Sequence, residues 1–269
     1  MIKSTPFFSI IIPTLNEEVC LPLLLQDLTD QVDQDFEVIV VDGNSTDGTV
    51  KKAHEFTKSL PKLTILTTKK RGVSLQRNTG AENASGNYLI FMDADNRLPT
   101  TYILGTKYRV LTTNPDTFTS WCAADSDLAG DKSLATALNF AVETGKLIEY
   151  EGALGALIGC KHELFHKIGG FDGKLNFAED AEFVRRASRL GYSYTIFHDP
   201  RFTYSLRRYR REGTLTALRK YAGIFLKQVT GTKVRRSDYP MGGNIHPGKT
   251  KSAKLGKSLR SLFDQLINS

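Results

Sequence analysis

The first half of the chain alternates short apolar runs with longer stretches whose apolar residues recur every three or four positions. Phe7-Phe-Ser-Ile-Ile-Ile12, Phe36-Glu-Val-Ile-Val-Val41, Leu63–Thr67 and Tyr88-Leu-Ile-Phe-Met92 are β-rich runs that predict strands. Between them, Pro22 ahead of Leu23, Leu24 and Leu25 predicts a helix with proline in its first turn. Thr46–Ser59, with Val50, Ala53 and Phe56 on one face, and Leu75–Ala84 predict two more helices. Apolar strands separated by helices imply an α/β fold, a mostly parallel Rossmann-like sheet covered on both faces. Such sheets bind ligands beyond the carboxyl ends of their strands. The polar clusters fall there, after Ile12, Val41 and Met92.

The second half is less regular. Thr100–Leu111, Ala135–Glu149 and Glu179–Leu190 predict helices, the last stopped by Gly191, and Thr117–Ala123 and Ser193–Phe197 predict strands. Residues 230–251 have the Gly/Pro composition of a linker. It is flanked by two amphipathic stretches, Leu215, Leu218, Ala222, Phe225 and Val229, then Leu255, Leu259, Leu262, Phe263 and Leu266. The expected organisation is a domain over 1–205, with a nucleotide-binding half at 1–98 and an acceptor half at 99–205, followed by a basic helical extension at 206–269.

Composition adds little to this picture and charge adds more. Forty per cent hydrophobic and 24% charged residues describe an ordinary globular chain. Three widely spaced cysteines without a CxxC pair point to a reducing compartment. No apolar run approaches the ~20 residues of a membrane-spanning helix, and Phe7–Ile12 is too short for the apolar core of a signal peptide. A cytoplasmic location is expected. From Arg201 onward, 16 Lys and Arg face 3 Asp and Glu, whereas the first 200 residues hold 26 acidic and 20 basic groups. One end is built to meet anions. Its basic amphipathic segment suits the anionic inner face of a membrane; packing back on the catalytic domain or on a second copy in a homodimer is the alternative.

Asp93-Ala-Asp95 directly follows an apolar strand, so two carboxylates project from the ligand-binding rim. Hard divalent cations take oxygen ligands, and Mg²⁺ is commonly held by one or two carboxylates plus substrate phosphates. A metal clamped between Asp95 and a diphosphate would neutralise charge developing on a leaving group. An isolated DxD is otherwise a solvated turn, and the position after a buried strand separates the two readings. Likewise, carboxylates at Glu179, Asp180 and Glu182 suit the first turn of any helix, but a positioned carboxylate there could also take a proton from an attacking hydroxyl.

Five motifs in order make the chain similar to the family-2 glycosyltransferases over about residues 7–200. They are Ser9-Ile-Ile-Ile-Pro-Thr-Leu-Asn-Glu-Glu18; Val40-Val-Asp-Gly-Asn-Ser-Thr-Asp-Gly-Thr49; Arg77-Asn78 with Ala84-Ser-Gly-Asn-Tyr88 and Asp93-Ala-Asp95; Ile168-Gly-Gly-Phe-Asp172; and Glu179-Asp180 ahead of Arg185-Arg186. The resemblance implies the GT-A fold, a nucleotide-sugar donor, Mn²⁺ or Mg²⁺, and inversion at the anomeric carbon. Carried over by position, Pro13, Thr14 and Glu17 would line base and ribose, Asp42 would bond the base, and Gly72 and Arg77 would lie along the nucleotide. Asp93 would contact ribose or metal, the adjacent Ala94 would lie along the nucleotide-sugar, and Asp95 would ligate the metal. The frequent Asp-Asp-Gly-Ser of the second motif reads Asp42-Gly43-Asn44-Ser45 here. The resemblance puts the general base at Asp180, with Glu179 orienting acceptor or base. Uracil is the base it favours, so a UDP-sugar is the expected donor; the acceptor is a sugar or a lipid-linked group. Arg207 and Arg208 are candidate diphosphate or acceptor contacts, since guanidinium forks suit phosphate. His198 is a candidate metal ligand or a structural histidine.

Other motifs point elsewhere. His162-Glu-Leu-Phe-His166 matches H-E-x-x-H, but Gly169-Gly170 ends that helix at once and no obvious third ligand follows. Gly243-Asn-Ile-His-Pro-Gly248-Lys-Thr250 matches the phosphate-loop pattern without a buried strand before it. A sugar nucleotidyltransferase would carry a Gly-rich basic loop after the first strand, which Pro13-Thr-Leu-Asn-Glu17 is not. A nucleic-acid-binding module conflicts with the net acidic sheet half, and no nucleic-acid partner is expected.

Overall fold

The computed structural model describes residues 5–60, 62–147, 155–175 and 178–213. Two compact units divide the chain, Met1–Ser205 and Leu206–Ser269. Both amphipathic stretches beyond Leu215, the linker at 230–251 and the Gly243–Thr250 motif lie outside the described residues. Among the described residues, no helix is long and apolar enough to cross a membrane.

In chain order the first unit contains β1 (Phe8–Thr14), α1 (Leu21–Thr29), β2 (Phe36–Asp42), α2 (Thr49–His54), β3 (Leu63–Thr67), α3 (Val73–Glu82), β4 (Tyr88–Met92) and α4 (Tyr102–Thr113). It continues with β5 (Thr117–Ala124), α5 (Ala129–Leu147), β6 (Leu157–Lys161), α6 (His162–Lys167), α7 (Glu179–Arg189) and β7 (Tyr194–Tyr204). In the second unit the described element is α8 (Arg207–Glu212). The seven strands form one sheet in the order β3-β2-β1-β4-β6-β5-β7. β1 pairs in parallel with β2 and β4, and β2 with β3. β6 runs antiparallel to both β4 and β5, and β5 is parallel to β7. Six strands therefore point one way and β6 alone is reversed. This is the GT-A architecture, a mixed sheet flanked by helices.

Side chains alternate across the sheet with period two. Phe8, Ile10 and Ile12 of β1 pack on one face with Leu24, Leu28 and Tyr102. Ile11 packs on the other with Ile39, Phe91, Phe165, Phe171 and Phe183. Because both faces are covered, β1, β2 and β4 read as continuous apolar runs, and every residue of β4 is buried. Edge strand β3 is only partly covered.

The alternating pattern misses β6, a central strand. Leu157-Ile-Gly-Cys-Lys161 is short and interrupted by glycine, which a sequence reading takes as a break. Here the glycine marks a close approach, since a Cβ on Gly159 would run into the Phe118 ring of β5. β7 is also longer than the predicted Ser193–Phe197, because its far half, after a register shift, pairs with Cys122–Ala124.

Gly159→Ala should therefore overpack the centre of the sheet. A loss of about 1–3 kcal/mol or more is expected in the unfolding free energy, measured by urea denaturation against wild type.

Candidate active site

The rim at the carboxyl ends of β1, β2 and β4 carries two cross-braced loops and two acidic turns. The loop after β1 is tied to the loop after β2 by short polar side chains. Asn16 N–H donates to Ser45 Oγ at 2.8 Å, Thr46 N–H donates to Asn16 Oδ1 at 2.8 Å, and Glu17 N–H donates to Thr49 Oγ1 at 2.8 Å. Gly48 N–H donates to Glu18 Oε2 at 2.8 Å. Asn16 and Asn44 both take left-handed backbone conformations, φ 57° and 66°, which asparagine tolerates better than most residues. Asn44 thus occupies the third place of its motif, where glycine is frequent, without a conformational conflict.

Asp42 ends β2 and is almost wholly buried. Its carboxylate accepts from Ser45 N–H at 2.9 Å and from the Ser45 hydroxyl at 2.5 Å, with Thr14 Oγ1 at 3.5 Å. Gln76, on α3, fastens the same corner by donating Nε2–H to the carbonyls of Thr14 and Val41 at 2.8 and 2.7 Å. Pro13, Thr14, Glu17 and Asp42 therefore belong to one braced corner, with Gly72 capping the start of α3.

The second cluster is organised around Arg77. Its side chain is 2% exposed. Nη1 donates to Glu179 Oε1 at 2.8 Å, and Nη2 to Asp93 Oδ1 at 3.2 Å and to the Gly155 carbonyl at 2.7 Å. The guanidinium also lies 5.3 Å from the centre of the Phe171 ring, a cation–π contact. The neighbouring Asn78 holds Phe171 through two backbone bonds of 2.9 Å. Arg186 completes the frame. It pairs with Glu182 at 2.7 Å and donates to the carbonyls of Ile168 and Gly170.

Asp93, Ala94 and Asp95 form a turn closed by Asn96 N–H donating to the Asp93 carbonyl at 3.2 Å. Asp93 and Asp95 are half-buried, whereas Ala94 and Asn96 are buried. Asn96 Nδ2 donates to the Ala156 carbonyl at 2.6 Å, and Asp93 N–H bonds the same oxygen at 3.0 Å. On the facing side Asp180 lies against Gly155, where a Cβ would run into its carboxylate. Burial pushes the Asp180 carboxyl up to about 7, with the Glu179 charge adding to the rise and the Arg77 guanidinium opposing it. One guanidinium thus stands among the carboxylates of Asp93, Glu179 and Asp180, with Asp95 in the same turn as Asp93. That hard-oxygen surplus fits a divalent cation held by one or two carboxylates together with substrate phosphates. Among the described residues no three or more His, Cys, Asp or Glu side chains converge on one cation position.

Residues 9–143, half of the chain, match the sequence model of glycosyl transferase family 2. The chain belongs to that family. It is 42% identical over 96 residues to a PGL/p-HBAD biosynthesis glycosyltransferase of Mycobacterium bovis, covering 35% of this chain and 38% of that protein. With the glycosyltransferase AglE of Haloferax volcanii it shares 28% identity over 207 residues, covering 74% of this chain and 67% of the other. Among solved structures, S. aureus TarS in complex with UDP-GlcNAc superposes with a TM-score of 0.61 at 21% identity, over 74% of this chain and 58% of that one. The mannosyltransferase PcManGT of Pyrobaculum calidifontis, in complex with GDP-Man and Mn²⁺, gives 0.62 at 22% identity, over 77% and 61%. Both structural likenesses establish the fold.

Within this family member, the structure brings Arg77, Asp93, Glu179 and Asp180 together through chain separations that no local pattern reveals. His198 has other partners. Its Nε2 lies 2.9 Å from Glu143 Oε1 and its ring 4.3 Å from that of Trp121. Arg207 and Arg208 open α8 in the second unit. Sequence reasoning missed Gln76, Gly155 and Asn96. Gln76 and Asn96 sit beside recognised motif residues, whereas Gly155 carried no local signal.

Asp180 carries a stability consequence. An aspartate whose folded-state pKa is raised from 3.8 to about 7 stabilises the fold fully below the unfolded value, and that contribution is lost as pH rises through the folded one. Asp180→Asn should unfold at a higher denaturant concentration than wild type at about pH 8, and at nearly the same concentration at about pH 3, below the unfolded value. Paired urea titrations at the two pH values measure this.

Proposed function

We propose that this protein is a metal-dependent inverting glycosyltransferase that moves a sugar from a nucleoside diphosphate donor, a UDP-sugar in first place, to a hydroxyl or lipid-phosphate acceptor. The observation that carries the reading is the buried Arg77 bridge, which sets the donor-side carboxylate Asp93 against the pair Glu179 and Asp180. Family membership and the nucleotide-sugar complexes of TarS and PcManGT support it.

In this reading the braced corner of Pro13, Thr14, Glu17 and Asp42 takes base and ribose, with Gly72 and Ala94 along the nucleotide. Asp95 and Asp93 would hold Mn²⁺ or Mg²⁺, which when bound supplies positive charge against the diphosphate. Asp180 takes the proton of an acceptor hydroxyl as its oxygen forms a bond to the anomeric carbon and the diphosphate bond breaks. A carboxylate with a pKa near 7 is a better proton acceptor at neutral pH than an ordinary aspartate. Inversion in one displacement needs no second nucleophilic carboxylate. Arg77, being buried, acts through Glu179 and Asp93 and is a positioning residue. Arg207 and Arg208 are proposed acceptor or diphosphate contacts; His198 is a further proposed ligand to the metal, although Glu143 holds it in the described structure.

The test is nucleotide release from UDP-, GDP- and dTDP-sugars with Mn²⁺, Mg²⁺ or EDTA. Release from none of them by folded protein would overturn the reading. Asp95→Ala should abolish the metal-dependent turnover. Asp180→Asn should lower kcat by about 10²–10⁴-fold with a hydroxyl acceptor, whereas retained activity would identify a phosphate acceptor, which arrives ionised. Arg77→Met should lower kcat and move the ascending limb of the pH–rate profile upward, because the guanidinium holds the Asp180 carboxyl down.

The basic amphipathic segment after Arg207, in a chain end that carries net +13 from Arg201 onward, is proposed to dock on an anionic membrane surface, where a lipid-linked acceptor would reside. Flotation should recover more protein with anionic than with neutral liposomes. Equal recovery would end the proposal.

A further inference from the structure

The H-E-x-x-H helix takes no part in the site described above. β6 runs away from the rim that carries Asp93 and delivers α6 to the opposite edge of the sheet, beside the amino end of β4. There His162 N–H donates to the Asn87 carbonyl at 2.9 Å, and His162 Nδ1 lies 2.8 Å from the Gly86 carbonyl. A carbonyl oxygen only accepts, so Nδ1 carries a proton, and in the neutral form of the ring the lone pair then sits at Nε2. That Nε2 lies 3.0 Å from Nε2 of His166, one helical turn on and exposed to solvent.

Without metal, one proton between the two nitrogens makes a ring-to-ring hydrogen bond. The same spacing also suits a metal. With bonds of about 2.0–2.1 Å, two nitrogens 3.0 Å apart subtend an angle of about 94° at the ion. Adjacent ligands of a tetragonal ion stand at about 90°, and Cu²⁺ leads the first-row divalent ions in affinity for nitrogen sites. The backbone bond to Nδ1 is the outer-shell support that orients a ligating imidazole. The adjacent basic groups are turned to other partners, Lys161 to Asp116 at 2.8 Å and Lys167 over the Tyr192 ring. His166 is exposed to solvent, which leaves the remaining ligand positions open to water.

We infer that His162 and His166 form a two-imidazole site for a tetragonal divalent transition metal, Cu²⁺ or Ni²⁺, distinct from the oxygen-lined site at the opposite rim. On binding, the proton on His166 Nε2 passes through solvent to Nδ1 of the same ring, and both Nε2 lone pairs turn to the ion. No net proton is lost.

The experiment titrates CuCl₂, NiCl₂ and ZnCl₂ separately into full-length, untagged protein near neutral pH by calorimetry, with electron paramagnetic resonance of the copper form. Cu²⁺ should bind with the highest affinity and Zn²⁺ with the lowest of the three, and the copper spectrum should show two equatorial nitrogens. His166→Asn, at an exposed position, should weaken Cu²⁺ binding at least about tenfold and remove one nitrogen from the spectrum. His162→Asn, checked for folding by thermal melting, should do the same. Unchanged Cu²⁺ affinity in His166→Asn would overturn the site, and tighter binding of Zn²⁺ than of Cu²⁺ and Ni²⁺ would overturn its geometry.

Discussion

A single buried guanidinium holds the carboxylate-bearing rim of this protein together. Removing an ion from water costs several kcal/mol, and the cost is offset only where charge and hydrogen bonds are returned in good geometry. Arg77 receives both from Glu179, Asp93 and the Gly155 carbonyl. These partners come from α7, the turn after β4 and the entry to β6, so one side chain fixes the relative position of three segments. Neither Glu179 nor Asp93 can move without leaving a buried charge short of a partner.

The reversed strand makes this arrangement possible. Because β6 runs against its neighbours, it enters the sheet at the rim where β1, β2 and β4 leave it. Its approach, Gly155 and Ala156, therefore sets carbonyl oxygens among the functional groups, one for Arg77 and one shared by Asp93 and Asn96. Gly155 has no side chain to keep Asp180 away, and the carboxyl that settles there loses its water. The same reversal carries α6 to the far edge. Carboxylates gather at one rim and a pair of imidazoles at the other.

The corner at the carboxyl ends of β1 and β2 is built differently, from short polar side chains that bond backbone groups across two loops. Asn16, Ser45, Thr49 and Gln76 fasten the ends of β1 and β2. Loops braced in this way are ordered before a ligand arrives, which lowers the entropy lost on binding.

By itself, the sequence determined the elements with strong local signals. β1, β2 and β4 were legible because strands buried on both faces are uninterrupted apolar runs, and their order with the intervening helices implied the parallel half of the sheet. Motif order identified the rim carboxylates Asp42, Asp93, Asp95, Glu179 and Asp180 as the candidate chemistry. Only the tertiary structure decided which of these groups meet and in what environment. Arg77 and Glu179 are 102 positions apart, and β6 is hidden by the glycine that lets Phe118 approach. The raised pKa of Asp180 arises from desolvation, a property of everything packed around the group. Local patterns record what a residue prefers; burial and long-range pairing depend on where the rest of the chain comes to lie.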